Sequence, residues 1–314
     1  MVSELVIGSW ADNTKSTYNS YFKLWFKYCQ SMGIPDPYAA SVEEGAEFLA
    51  HMNKKLGYPH GTCAVARSAL SAILQKQDGK IFSDHPLVAR VMKGIFKAAP
   101  SLPRVHVTWD PEILLKYIDS LPNNNELLLE QLTKKLCTLL ALLSGTRAQA
   151  IGNLDLKFYH LDPSQKQLMF YIPKVLKNTK PNHHQPPLEF WAFSDNDKWC
   201  PIKCFVEYLE RTCHIRENSC PGEHQLIISY SEPYQPVSVA TITRYVRLFL
   251  GQAGIDRVAF TAKSTRKSST SKACSLGLPL KEIIKAGGWT NPHTFQRFYN
   301  FPIRKNFGQT LLIN

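Results

Sequence analysis

Before residue 98, apolar residues recur at helical spacing in four consecutive stretches, and this constrains the chain more than any other feature. Between Asn13 and Met32, the residues Tyr18, Tyr21, Phe22, Trp25 and Tyr28 fall on one helical face. Ser41-Val42-Glu43-Glu44 has the order of a capping box and opens a second helix carrying Phe48, Leu49 and Met52. A third helix is expected from Gly61 to Gln77, with Ala66, Leu70, Ile73 and Leu74 inward. A fourth begins at Pro86, a good first helical position, with Leu87, Val91, Ile95 and Phe96 inward. Four short amphipathic helices bury their stripes against one another as a bundle.

Residues 98–108, AAPSLPRVHVT, hold two prolines and no periodicity, which predicts a linker. The expected domains are therefore 1–98, a linker at 99–108, and 109–314. In the second domain Asp110-Pro111 caps a helix, and Glu126–Ser144 reads as a long, mostly buried one. Strand-like pieces follow at Leu154–Tyr159, Leu168–Pro173 and Pro187–Phe190, with the polar, basic hairpin LKNTKPNHHQ between the last two. Helices resume at 201–212, 238–252, 264–275, 279–286 and 292–300. The fold class is mainly α: a four-helix domain, then an α+β domain with one small antiparallel sheet.

Charge narrows the partners. The 37 Lys and Arg outweigh 25 Asp and Glu, giving a net charge of +12. A folded chain this basic points to a polyanion: nucleic acid, with double-stranded DNA rather than a small-molecule substrate the partner expected, or less often an anionic membrane. Hydrophobic residues make up 44%, too many for a disordered chain. The apolar runs, such as Leu139–Leu143, are too short for a membrane span, so no membrane partner is expected. The start, MVSELVIGSWAD, lacks the pattern of a secretory signal, and the eight scattered cysteines read as reduced thiols. Cys200, Cys204, Cys213-His214 and Cys220 have poor zinc spacing, and no phosphate-binding glycine loop is present. A metal-dependent strand transferase needs grouped carboxylates, but Arg257–Lys285 contains only Glu282. No metal, ATP or other cofactor is expected.

Three distant segments carry the chemistry: Leu142-Leu143-Ser144-Gly145-Thr146-Arg147, Lys263-Ser264-Thr265-Arg266, and Gly287-Gly288-Trp289-Thr290-Asn291-Pro292 leading to Arg297-Phe298-Tyr299. They resemble the tyrosine recombinase (phage integrase) family, whose pattern is an Arg after a helix-ending Gly, a hairpin Lys, a His-x-x-Arg pair, a Gly-[His/Trp] and then a Tyr. AGGWTN at 286–291 is similar to the matching stretch of Cre-type recombinases. STRKSSTSKACSLG at 264–277 and TFQRFYN at 294–300 are more like the eukaryotic mobile-element branch, DIRS-like and Crypton recombinases. Lys263 stands where the family has His, as in type IB topoisomerases, and Ala150 stands where many bacterial relatives have an acid.

The resemblance implies a helical (SAM-like) core-binding domain before a catalytic domain. It also implies a site-specific recombinase that cleaves and rejoins DNA for mobile-element integration or excision, or a DNA-binding derivative that has lost catalysis. Arg147 and Arg266 would clamp the phosphate, because planar guanidinium forks give parallel hydrogen bonds and keep their charge. The Trp289 indole N–H would add a donor. Tyr299 would attack and form a 3′-phosphotyrosine, and Lys177, or Lys180 instead, would protonate the leaving oxygen. Lys263 is either catalytic or a phosphate contact. Alone, Tyr299 beside Phe295 and Phe298 reads as a core residue; with Arg147, Arg266 and Trp289 in family order it reads as the nucleophile. Base readout is expected from the helix opening at Ser238, with Thr241 and Arg244 toward the major groove. The expected assembly is a homotetramer on two DNA sites, joined through the apolar end of Phe301–Asn314. The expected location is the nucleus in a eukaryote, otherwise the cytoplasm.

Overall fold

The computed structural model of the chain describes residues 8–100, 107–176, 179, 186–219, 222–289 and 292–299. Lys177, Lys180, His183-His184, Cys220, most of the linker and Phe301–Asn314 lie outside the described residues. The chain divides into two compact units, Met1–Arg104 and Val105–Asn314.

The first unit holds α1 (Asp12–Met32), α2 (Val42–Lys54), α3 (His60–Leu70) and α4 (Pro86–Ala98). The capping box forms as the sequence predicts: Ser41 accepts from the Glu44 backbone N–H at 3.1 Å, and Glu44 accepts from the Ser41 N–H at 2.7 Å. Trp25, Phe48, Leu49, Met52, Ala66 and Leu70 are fully buried or nearly so. The Trp25 and Phe48 rings meet edge-on at 5.2 Å, and the Trp25 indole N–H donates to the Pro37 carbonyl, so the buried ring leaves no polar atom unpaired.

Two expectations fail here. The third helix stops at Leu70, not Gln77. The Ser71 hydroxyl bonds back to the Arg67 carbonyl and accepts from the Ser83 N–H, which ties the chain into turns. Gln77 then pairs with Lys80 across the Asp78-Gly79 turn, and its side-chain amide clasps Ala40 and Val42. In α4 Ile95 is buried as predicted and Leu87 and Val91 are half-buried against the core, which also takes in Val88 and Met92, but Phe96 is exposed beside His60.

The second unit is built around α6 (Leu129–Ser144). Before it come α5 (Pro111–Ser120) and a 3-10 turn (Asn124–Glu126), which occupies the start of the predicted long helix. After it come α7 (Ala148–Gly152), β1 (Tyr159–Leu161), β2 (Gln167–Phe170), β3 (Leu188–Trp191), α8 (Pro201–Ser219), α9 (Val239–Gln252), α10 (Ser264–Ser275), α11 (Leu280–Gly287) and α12 (Pro292–Phe298). Helix α6 is packed by α8, α9 and α10, so even its polar residues are buried and must find partners. Lys135 Nζ reaches Asn124 Oδ1 at 2.7 Å, and Thr138 bonds back to the Lys134 carbonyl.

The sheet is antiparallel in the order β1-β2-β3, with Leu168 opposite Phe190 and Phe170 opposite Leu188. Those four side chains are buried, and Phe170 packs edge-on against Phe205 of α8. The alternating residues Gln167, Met169, Glu189 and Trp191 lie on the other face, as period-two geometry requires. Leu154–Tyr159, the predicted first strand, is a strand only at Tyr159. Leu154 and Leu156 exchange backbone hydrogen bonds with Leu226 and His224 instead, outside the sheet.

Candidate active site

Helix α6 ends at Gly145, whose φ of 57° is left-handed backbone that a Cβ would strain. The Ser144 hydroxyl bonds to the Leu140 carbonyl and lies 2.9 Å from the Thr146 hydroxyl, which locks the turn. Arg147 follows in extended conformation as the N-cap of α7. It opens into a cleft lined by Thr146, Arg147, Gln149, Ala150, Leu176, Arg266 and Gly287. The two arginines that the sequence places 119 residues apart therefore share one cleft (266 − 147).

Arg266 sits on the first turns of α10 and is only 4% exposed. Its guanidinium carbon lies 3.7 Å from the centre of the Trp289 ring and 5.0 Å from that of Tyr299. The Trp289 and Tyr299 rings meet edge-on at 4.7 Å, and Phe295 packs beside Trp289 at 5.4 Å. Stacking satisfies the faces of the cation but not its N–H groups. Arg266 Nε and Nη2 and Trp289 Nε1 are buried with no hydrogen-bond partner among the described residues. Burial first, then the neighbouring Arg147 charge, push the Arg266 guanidinium down to about 10, against a smaller upward pull from Tyr299. A buried cation with orphaned donors and a second cation nearby is costly until an anion enters.

Local packing sets this geometry. Gly288 ends α11 in left-handed conformation and turns the chain back. A Cβ on Gly287 would stand 1.7 Å from the Trp289 ring, so only glycine lets the indole lie flat there. Ser271 of α10 donates to the Tyr299 carbonyl at 2.7 Å, and the Tyr299 N–H closes onto Phe295, which holds Tyr299 against α10.

The structure thus brings together Arg147, Arg266, Trp289 and Tyr299. Lys263 is exposed, just before α10 and outside the residues lining the cleft. Ser238 caps α9 by accepting from the Thr241 N–H at 3.1 Å. Thr241 is half-buried, and Arg244 is exposed with its guanidinium 5.8 Å from the Tyr245 ring. Sequence reasoning missed Ser271, Gly287 and the buried serines and threonines of α10. The only signal of the α10 hydroxyls was a polar run in a helix that has no apolar stripe, and Gly287 stood in the Gly287-Gly288-Trp289 segment without its space-giving role being visible.

Scanning the chain against protein-family models finds no match. Comparison with curated proteins finds none either. The fold does match solved structures. The Tn1549 transposon integrase in complex with transposon right end DNA superposes with a TM-score of 0.60 at 14% identity, over 97% of this chain and 93% of that one. The XerH site-specific recombinase bound to its difH substrate gives 0.57 at 16% identity, over 96% and 79%. A lambda integrase (75–356) dimer bound to a core site gives 0.52 at 16%, over 96% and 94%. The chain therefore has the tyrosine recombinase fold, mainly helical with a small three-stranded antiparallel sheet.

Proposed function

We propose that the chain is a tyrosine recombinase that cleaves and rejoins DNA through a 3′-phosphotyrosine. One observation carries the reading. Arg266 Nε, Arg266 Nη2 and Trp289 Nε1 are buried donors without partners, in and beside a cleft shared with Arg147, and the Tyr299 ring lies against the same guanidinium. A phosphodiester in that cleft would satisfy the donors and neutralise the paired cations. Its charge grows in the transition state, so the same contacts strengthen as reaction proceeds. Tyr299 then displaces the 5′-oxygen, and the bond energy is kept in the phosphotyrosine for the reverse step. Lys177 or Lys180 supplies the proton to the leaving oxygen in this reading. Lys263 is assigned to phosphate contact, in keeping with its exposure.

The first unit is the core DNA-binding domain and the second the catalytic domain. The partner is duplex DNA, with four copies of the chain on two sites. The setting is a mobile element of the DIRS-like or Crypton kind, acting in the nucleus of a eukaryotic host. The rival reading, a DNA-binding derivative without catalysis, draws on the absence of Lys263 from the residues lining the cleft.

A library of nicked duplexes with a randomised core tests both. The recombinase becomes covalently attached to the recovered DNA, and Tyr299→Phe, which keeps the ring and removes only the hydroxyl, binds but does not attach. Binding with no attachment by the native chain establishes the rival. Attachment by the Tyr299→Phe protein places the nucleophile elsewhere.

A further inference from the structure

The helix that carries Arg266 is held from its other side by the segment through which the chain enters the second unit. Trp109 is 4% exposed, and its indole N–H donates to the Ser264 hydroxyl at 2.8 Å. Ser264 in turn donates to the Thr261 carbonyl at 2.6 Å, so its single proton is committed and its oxygen is free to accept from Trp109. One turn on, the fully buried Ser268 donates to the Trp109 carbonyl at 2.7 Å. Another turn on, Lys272 reaches Asp110 at 3.2 Å and Glu112 at 2.5 Å. Asp110 is also the N-cap of α5.

Positions 264, 268 and 272 are spaced by four and form one face of α10. Arg266, two residues after Ser264, points about 200° around the helix from it, toward the cleft. The helix has no apolar stripe to fix its rotation. Hydrogen bonds must do that work, because an ordinary helix of this length is oriented by the side it buries.

We propose that Trp109, Ser264 and Ser268 are positioning residues that set the rotation of α10 and thereby aim Arg266 at the scissile phosphate. The inference rests on the recombinase reading for its kinetic consequence but not for its geometry. A rotation of α10 moves the Arg266 guanidinium off the Trp289 ring, so the two indoles report the latch directly. Trp109 reports its own bond to Ser264, and Trp289, which touches neither Trp109 nor Ser264 in any described contact, reports the aim.

The test uses Ser264→Ala, which removes both roles of the hydroxyl, and Ser264→Thr, which restores them. In the full-length free proteins, the Trp289 indole N–H resonance, assigned by its loss in Trp289→Phe, shifts in the alanine variant and returns in the threonine variant. On nicked duplex recovered from the randomised library, single-turnover attachment by Ser264→Ala falls about tenfold or more, since small misplacements of a positioned group cost this much, while duplex affinity stays within about twofold. Ser264→Thr recovers the rate. A Trp289 resonance that stays put in Ser264→Ala, or a threonine variant that fails to restore it, overturns the proposal even if melting temperature drops. If the native chain leaves no covalent adduct, the recombinase reading fails, and the resonance comparison alone still decides whether the latch exists.

Discussion

The two units bury different things. Among the described residues of the first unit, no Ser, Thr, Asn, Gln or charged residue is buried as a whole, although Arg67 Nε is, and its core is Trp25, Phe48, Leu49, Met52, Leu70 and their neighbours. In the second unit Lys134, Lys135, Arg266 and a series of serines and threonines are buried, with Ser264, Thr265, Arg266, Ser268, Thr270 and Ser271 all on α10. An apolar core gains free energy from every buried methylene. A buried hydroxyl that keeps its hydrogen bond gains little, and a buried cation costs. The first unit is therefore built for stability, while the second gives up stability along one helix to fix where a cation points.

The largest expected effect separates these two purposes at one residue. Arg266→Met keeps a long, polarisable side chain against Trp289 and Tyr299 but removes the buried charge and its orphaned donors. Under the recombinase reading, attachment to nicked DNA falls by about a thousandfold, the scale for losing one transition-state donor group. Melting temperature holds or rises, because an unpaired buried charge has been replaced by an apolar group. The pH sign follows from the same burial. The folded guanidinium, pushed down to about 10, lies below its unfolded value, so the penalty is present at all lower pH and is relieved as pH rises through that value. Inorganic phosphate should raise the melting temperature of the native chain near neutrality and do less for Arg266→Met, which keeps only Arg147 in the cleft. A Met variant that melts well below the native chain would mean that Arg266 is part of the structural core and would break the comparison.

Cutting the apolar core gives the complementary result. Phe48→Ala should cost about 3–5 kcal/mol, as fully buried aromatic truncations do. Thr138→Val, at a fully buried α6 position whose hydroxyl donates to the Lys134 carbonyl of its own helix, should stay within about 1 kcal/mol. Urea midpoints measure both. Equal losses would show that the second unit leans on its polar residues for stability as well as for placement.

The same contrast explains what was legible in the sequence. Helices with an apolar stripe were readable, and most first-unit positions buried as their spacing predicts. The main miss came where side-chain hydrogen bonds overrode periodicity: Ser71 and Gln77 cut α3 short. Helix α10 was legible at 264–275, but no periodicity could announce its burial, because its inward face is made largely of hydroxyls. Arg147 and Arg266 of the cleft, with Trp289 and Tyr299 beside it, were legible as a motif set. Their arrangement was not, since the stacking depends on a glycine, Gly287, whose only contribution is the space it leaves.

The smallest expected effect lies on an exposed surface, where neither kind of burial operates. Arg244 is exposed on α9, nearly two turns after the cap at Ser238 and one turn after Thr241 on the same face. Its guanidinium lies over the Tyr245 ring at 5.8 Å, a long and therefore weak contact at an exposed site. Arg244→Ala should therefore leave melting temperature unchanged. If Arg244 reads a base, duplex affinity falls by about 1–3 kcal/mol on the preferred sequence, with discrimination lost at one position. If it touches only phosphate, affinity falls evenly on all sequences and the slope of log K against log salt becomes shallower by about 0.9. Binding to a panel of duplexes at several salt concentrations separates the two. An unchanged slope with unchanged preference would remove α9 from the DNA surface and shift sequence recognition to the first unit.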